Sequence, residues 1–366
     1  MTETVYCGVD FHARMQTIAY CDSANGEIQL AQLDHRKDDV RGFYSQFTGQ
    51  VIVGLESGGG YSSWFETMLE ELGHTVWIGH ATEIRRRANW RQKNDRRDAE
   101  LVLEIMLRGD FPRIHCHSRE SVEVLRMLRY RSRLIKMRTM ICNNLQAIAM
   151  SCGLSERSRM LSRAGQERLK SARMTPVIKQ QSEDLLTLLV PINERIGRVD
   201  RWLKQQASTD DRVKLLVTHP GVGVLTALGV VHTLEPFNRF SKQRSVVAYV
   251  GLEPMERSSA ERKRYIGISK AGSRLLRFLL GEAAHVAVRF DPELKQFHER
   301  IGKRRGRAKA TVAVARKLLI RCWIMLRENI DYAEFRRRGV EARLARLGHR
   351  PSMPEVVIER PASSDR

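Results

Sequence analysis

The sequence predicts an α/β N-terminal domain, then a long-helix coiled-coil region, then a mostly α-helical C-terminal domain. Three observations predict this order. Short β-rich runs alternate with amphipathic runs up to about Gly109. From Arg119, apolar residues recur at spacings of three and four over two long stretches. The last third sets apolar helical runs between glycine-bearing and basic turns.

The elements follow in order. "TVYCGVDFH" is a β-rich run ending in polar residues; "MQTIAYCD" follows a short turn, and "EIQLAQLD" follows the turn signal "SANG". These predict three strands in meander order. "DDVRGFYSQFT" reads as a helix capped by Asp38 or Asp39. "QVIVGLES" is a continuous apolar run, as in a strand buried on both faces. "YSSWFETMLEELG" is an amphipathic helix closed by Gly73. "HTVWIGHA" is the next strand, and "DRRDAELVLEIMLRG", from Asp95, the next helix. The order is β-β-β-α-β-α-β-α.

In the middle third, Met127, Tyr130, Leu134, Met137, Ile141, Leu145 and Ile148 form a coiled-coil-like seam. Arg126, Arg129, Arg131, Arg133, Lys136 and Arg138 take the other faces. After a polar interruption, a second run holds Leu185, Leu188, Leu189, Ile192, Ile196, Val199 and Leu203, with a kink expected at Pro191. The pair reads as an antiparallel or dimerising arm, or as a bundle within one subunit. "LLVTHPGVGVLTA" reads either as a hairpin whose glycines approach phosphate or as a plain turn. "RSSAERKRYIGISKAGS" reads as a basic loop before a helix that starts near Ser273. The expected divisions are 1–115, 116–210 and 211–335, with a polar tail over 336–366.

The charge is far from balanced. Among 366 residues, Lys+Arg number 63 and Asp+Glu 42, a formal net charge of +21. An excess of this size points to a polyanion, because neutralising phosphates releases counterions. The sequence has no transmembrane-length apolar run, signal peptide or lipidation motif, so nucleic acid is expected rather than membrane. The six cysteines form no C-x-x-C pair, which fits a reduced, cytoplasmic protein with buried thiols. "HCH" at His115–His117 lacks zinc spacing and reads as loop.

Four carboxylates stand out. Asp10 ends the first apolar strand, and Glu56 ends "VIVGLE". Asp95 and Asp98 lie one turn apart on a helix and share a face. In a fold of ribonuclease H type the first strand lies beside the fourth, and the last helix packs across their ends. The four would then converge, which requires cations, because like charges repel strongly at low dielectric. Two Mg²⁺ (or Mn²⁺) ions, held by Asp10, Glu56, Asp95 and Asp98, satisfy that need. Arg85, Arg86, Arg87, Arg91, Lys93, Arg96 and Arg97 would grip the nucleic-acid backbone. Read singly, Asp10 and Glu56 are turn-formers, Asp95 is a helix N-cap and Asp98 a surface ion-pair partner.

"GVDFH", "GLESGGGYSSWFETMLEELGH" and "KNDRRDAE" resemble the N-terminal motifs of DEDD-type transposases from bacterial insertion sequences. "HPGVGVLTALGVV", "FSKQRSVVAYVGLEP" and "GISKAGSRLLR" resemble the family's C-terminal domain. The match runs in order from about Val5 to Asn329. The resemblance implies a RuvC-like N-terminal domain with Asp10, Glu56, Asp95 and Asp98 as the family carboxylates. It also implies a catalytic serine within "MERSSAERKRY": Ser259, or alternatively Ser258, with Ala260 where the family usually has glycine. It implies a covalent phosphoserine link to DNA, with Arg257, Arg262, Lys263, Arg264, Lys270 and Arg274 adding charge. It further implies a structured bridge RNA as guide to donor and target DNA. A dimer or tetramer, nucleoid-associated when acting, goes with a composite site. Two other readings remain: a metal-dependent, junction-resolvase-like endonuclease without serine chemistry, and a binding protein whose carboxylates are structural.

Overall fold

The computed structural model describes residues 4–23, 26–58, 60, 62–88, 94–154, 162–259 and 262–347. Two compact units divide the chain, Met1–Cys116 and His117–Arg366.

The first unit is α/β. It runs β1 (Thr4–Phe11), β2 (Met15–Asp22), β3 (Ile28–Asp34), α1 (Val40–Ser45), β4 (Gln50–Glu56), α2 (Ser63–Glu71), β5 (Thr75–Gly79), α3 (Ala81–Arg86) and α4 (Asp95–Leu107). The sheet order is β3-β2-β1-β4-β5, with the first strand beside the fourth as expected. The meander pairs are antiparallel, while β1–β4 and β4–β5 are parallel. The short helix α3 is an addition to the expected order.

Strand periodicity sorts the two central strands into faces. Val5, Cys7 and Val9 of β1 and Val51, Val53 and Leu55 of β4 pack with Tyr44 of α1 and Phe65 and Leu69 of α2. Ile52 packs on the opposite side, with Leu101, Val102, Ile105 and Met106 of α4. Gly8 and Gly54 are register partners on that α4 side. A Cβ on Gly8 would lie 2.4 Å from the Leu103 nitrogen and 2.5 Å from the Ala99 oxygen, both backbone atoms of α4. The glycine notch lets α4 rest directly on β1.

The second unit is mostly helical: α5 (Arg119–Ser151), α6 (Arg163–Ser171), α7 (Pro176–Thr209), α8 (Asp211–Val217), α9 (Val224–Leu234), α10 (Gln243–Val250), β6 (Pro254–Ser259), β7 (Arg262–Ile268), α11 (Arg274–Phe290), α12 (Pro292–Arg305), α13 (Arg307–Glu328) and α14 (Tyr332–Arg346). α5 and α7 pack side by side and share one apolar core with the later helices, from Val124 and Leu203 to Leu280 and Trp323. α7 continues through Pro191 as one helix.

Several expectations change. Of the α5 seam, Leu134, Ile141, Leu145 and Ile148 are buried and Met127 packs on the core, whereas Tyr130 and Met137 are exposed and Val124, Leu125 and Leu128 are buried in addition. Leu188 of α7 is exposed as well. The expected basic loop is the antiparallel hairpin β6–β7, which pairs Ser259 with Arg262 and Ser258 with Lys263. Gly221 (φ 93°) faces α11, where a Cβ would meet the Ala287 nitrogen at 2.6 Å, so close packing excludes a side chain there. The stretch read as tail from residue 336 is helical in α14 through Arg346, and 348–366 lies outside the described residues. Of the cysteines, Cys7, Cys21 and Cys322 are buried, but Cys116 is exposed. His115–His117 is loop, as read.

Candidate active site

The site assembles where β1, β4 and α4 meet. Asp10 follows Gly8 by two residues and therefore shares its face, toward α4. Glu56 follows Gly54 by two in the neighbouring parallel strand. Both lie one position beyond the paired residues Val9 and Leu55. α4 is preceded by Asn94, whose side chain accepts a hydrogen bond from the Arg96 N–H at 3.1 Å. Asn94 is thus the N-cap, and Asp95 is released from the capping role. Asp95 and Asp98 occupy the first turn, where the helix dipole favours negative charge.

Single side-chain atoms of Asp10, His12 and Asp95 that could hold a metal ion all lie within 4.8 Å of one another. His12 Nε2 is 3.2 Å from Asp10 Oδ2 and 3.8 Å from Asp95 Oδ1. Asp10 is largely buried, while His12 and Asp95 are more open. Burial raises the Asp10 pKa, His12 opposes that rise, and the charges of Asp98 and Asp95 add to it. Asp10 thus bears the repulsion of two neighbouring carboxylates, with the His12 imidazole beside it.

Neither Glu56 nor Asp98 belongs to this close group, and Glu56 Oε1 instead accepts from Arg85 Nη2 of α3 at 3.1 Å. Arg85 therefore neutralises a predicted ligand in addition to any role toward phosphate. Arg86 pairs with Glu83 and Arg96 with Glu100. Arg87 is the C-cap of α3, and Arg97 lies in the first turn of α4. Arg91 and Lys93 lie outside the described residues. Arg257, Ser258, Ser259, Arg262, Lys263 and Arg264 lie in the paired strands of the β6–β7 hairpin. Lys270 adopts a left-handed conformation (φ 57°) in the turn before α11, and Arg274 opens that helix.

Sequence reasoning missed His12. The available signal was its spacing: two residues after Asp10 at a strand end places it on the same face.

Comparison with known proteins agrees with both halves. Residues 7–151 match the DEDD transposase domain of the IS110 group, and residues 213–299 match the transposase IS116/IS110/IS902 family. The chain belongs to this family. A relative is the transposase for insertion sequence element IS1111A of Coxiella burnetii, 29% identical over 330 residues, covering 85% of this chain and 90% of the relative. Another is a probable family 20 transposase of Pseudomonas aeruginosa, 28% identical over 306 residues, covering 81% and 90%. In this transposase the first match spans Asp10, Glu56, Asp95 and Asp98, and the second spans the β6–β7 hairpin. No helix among the described residues is long and apolar enough to cross a membrane.

Proposed function

We propose that the chain is a recombinase that cuts and rejoins the DNA of an insertion sequence. Asp10, Glu56, Asp95 and Asp98 form its divalent-metal site, and Ser259, with Ser258 as the alternative, is its nucleophile. The sheet order β3-β2-β1-β4-β5 with α4 across it supports a ribonuclease H/RuvC-like class for the first unit. The carrying observation is the clustering of Asp10 and Asp95 at 4.8 Å or less, with Asp98 close enough to raise the Asp10 pKa further. Such crowding of like charge is what a divalent cation relieves.

The donor set fits Mg²⁺ or Mn²⁺, since carboxylate oxygens suit hard cations. When bound, the ion polarises the scissile phosphate. His12 donates Nε2–H to Asp10 and so orients that carboxylate. Arg85 holds the Glu56 carboxylate in place. The serine oxygen forms a bond to phosphorus, the bond from phosphorus to a deoxyribose oxygen breaks, and the leaving oxygen takes up a proton. The acting form is a cytoplasmic homo-oligomer, dimer or tetramer, on donor and target DNA, guided by a bridge RNA.

Trapping the protein on cleaved DNA tests this directly. Mass spectrometry of the adduct should find phosphoserine at Ser259 or Ser258, and Ser259→Ala should abolish strand transfer. Full recombination by both single serine variants overturns the nucleophile, and cleavage by Asp10→Asn overturns the metal site. A structure-specific endonuclease is the second reading, because the carboxylates all lie within Met1–Cys116 and hydrolysis needs no serine. Metal-dependent cleavage without any adduct selects it.

A further inference from the structure

A second candidate site lies wholly within the unit His117–Arg366. α5, α9 and the start of α11 enclose a groove of 1220 Å³. Its walls carry Arg129, Arg131, Arg133, Lys136 and Arg274. Arg131 is paired with Asp200. Among the described residues the other four form no ion pair. Arg129 and Arg133 sit one turn apart, and burial together with the Arg133 charge disfavours the charged form of Arg129. The groove thus concentrates positive charge with no acid in its lining.

Its remaining lining has a different chemistry. Leu128, Leu279, Tyr249 and Phe278 supply apolar and aromatic surface, and Phe278 is 59% exposed. Asn143 and Asn144 add amides; Asn144 donates to the Met140 carbonyl at 2.9 Å, which leaves its own oxygen as an acceptor. The groove also meets the first turn of the 17-residue helix α11, where Ser273 caps the Leu276 N–H. Thr233 lines the groove too, is only 5% exposed, and its hydroxyl has no hydrogen-bond partner.

We propose that this groove binds an unpaired stretch of nucleic acid, its phosphates on Arg129, Arg133, Lys136 and Arg274 and a base stacked on Phe278. A duplex presents phosphates but keeps its base faces stacked inside, so it would leave the aromatic and amide surface uncovered. An unpaired strand offers phosphate, base face and base edge together. The proposal rests on the chain being a nucleic-acid enzyme, and on none of its bond-making chemistry.

Fluorescence anisotropy with the full chain tests it, using short labelled single-stranded DNA, single-stranded RNA of the same sequence and the matching duplex. Phe278→Ala should weaken binding to single strands about tenfold, with duplex binding unchanged. Arg133→Gln with Lys136→Gln should lower the salt slope on single strands by about 1.4. Phe278 is 59% exposed, so Phe278→Ala should keep the wild-type melting temperature, which separates lost contacts from lost folding. A preference for RNA or for DNA identifies which strand is held. Single-strand affinities like wild type in these variants overturn the groove, as does an equal loss for duplex. A changed mass by light scattering with unchanged oligonucleotide binding also overturns it, and makes the groove a seat for a second copy. Absence of nucleic-acid binding by the wild-type protein would instead refute the enzyme reading.

Discussion

Asp10 concentrates the electrostatic problem of the site. Burial raises its pKa first, and Asp98 and Asp95 raise it further, against the pull of His12. A carboxylate whose folded-state pKa is raised stabilises the fold below its unfolded-state value. That contribution is lost as pH rises through the folded-state value. At neutral pH, without metal, ionised Asp10 therefore opposes folding. Asp10→Asn should melt higher than wild type in chelator at neutral pH, and the difference should shrink as pH falls toward the carboxylate range. Mg²⁺ at a hundredfold over its dissociation constant should stabilise the wild type by about 2.7 kcal/mol and leave Asp10→Asn almost unmoved. Thermal melts with and without Mg²⁺ decide this, and equal shifts in both proteins would remove Asp10 from the ligand set.

The elements bring those side chains together through the contact of α4 with β1. At Gly8 the obstacle to a Cβ is helix backbone, whereas at Gly54 it is the flexible Met106 side chain, with Sδ at 2.2 Å. Gly8→Ala should therefore cost about 1–3 kcal/mol and reduce cleavage by displacing Asp95 and Asp98. Gly54→Ala should cost less, since Met106 can turn aside. Chemical denaturation of the two variants checks the order, and a Gly54→Ala penalty equal to that of Gly8→Ala would refute the seating argument. Much of this unit was legible in the sequence, because strands of alternating or continuous apolar character carry strong period-two signals. Asp10, Glu56, Asp95 and Asp98 could be found from strand ends and helix spacing, but the contact of Arg85 with Glu56 depends on α3, a helix too short to announce itself. The β6–β7 hairpin was hidden because Arg257, Arg262, Lys263 and Arg264 break any apolar alternation. In α5 two overlapping apolar stripes were available, and packing against α9 and α7 selected Leu125 and Leu128 over Tyr130 and Met137.

For the whole molecule the decisive quantity is charge that cannot be neutralised internally. Many arginines are already engaged, as in the pairs Arg41–Glu71, Arg212–Asp210 and Arg321–Asp291. Even if every one of the 42 acids neutralised a base, 21 of the 63 Lys and Arg residues would remain. Divalent metal at the carboxylates adds positive charge. This excess opposes self-association by simple repulsion and favours any partner that carries phosphates at close spacing. Binding should therefore weaken steeply with salt. If about six phosphates or more are neutralised, affinity for DNA should fall roughly a thousandfold or more between 50 and 200 mM salt. Anisotropy titrations across that range measure the slope. Because Asp10→Asn leaves the cationic surfaces intact, it should keep the wild-type slope while losing cleavage. A shallow slope in both proteins would mean that the excess charge lies away from the bound strand, and the assignment of these arginines to phosphate contacts would fail.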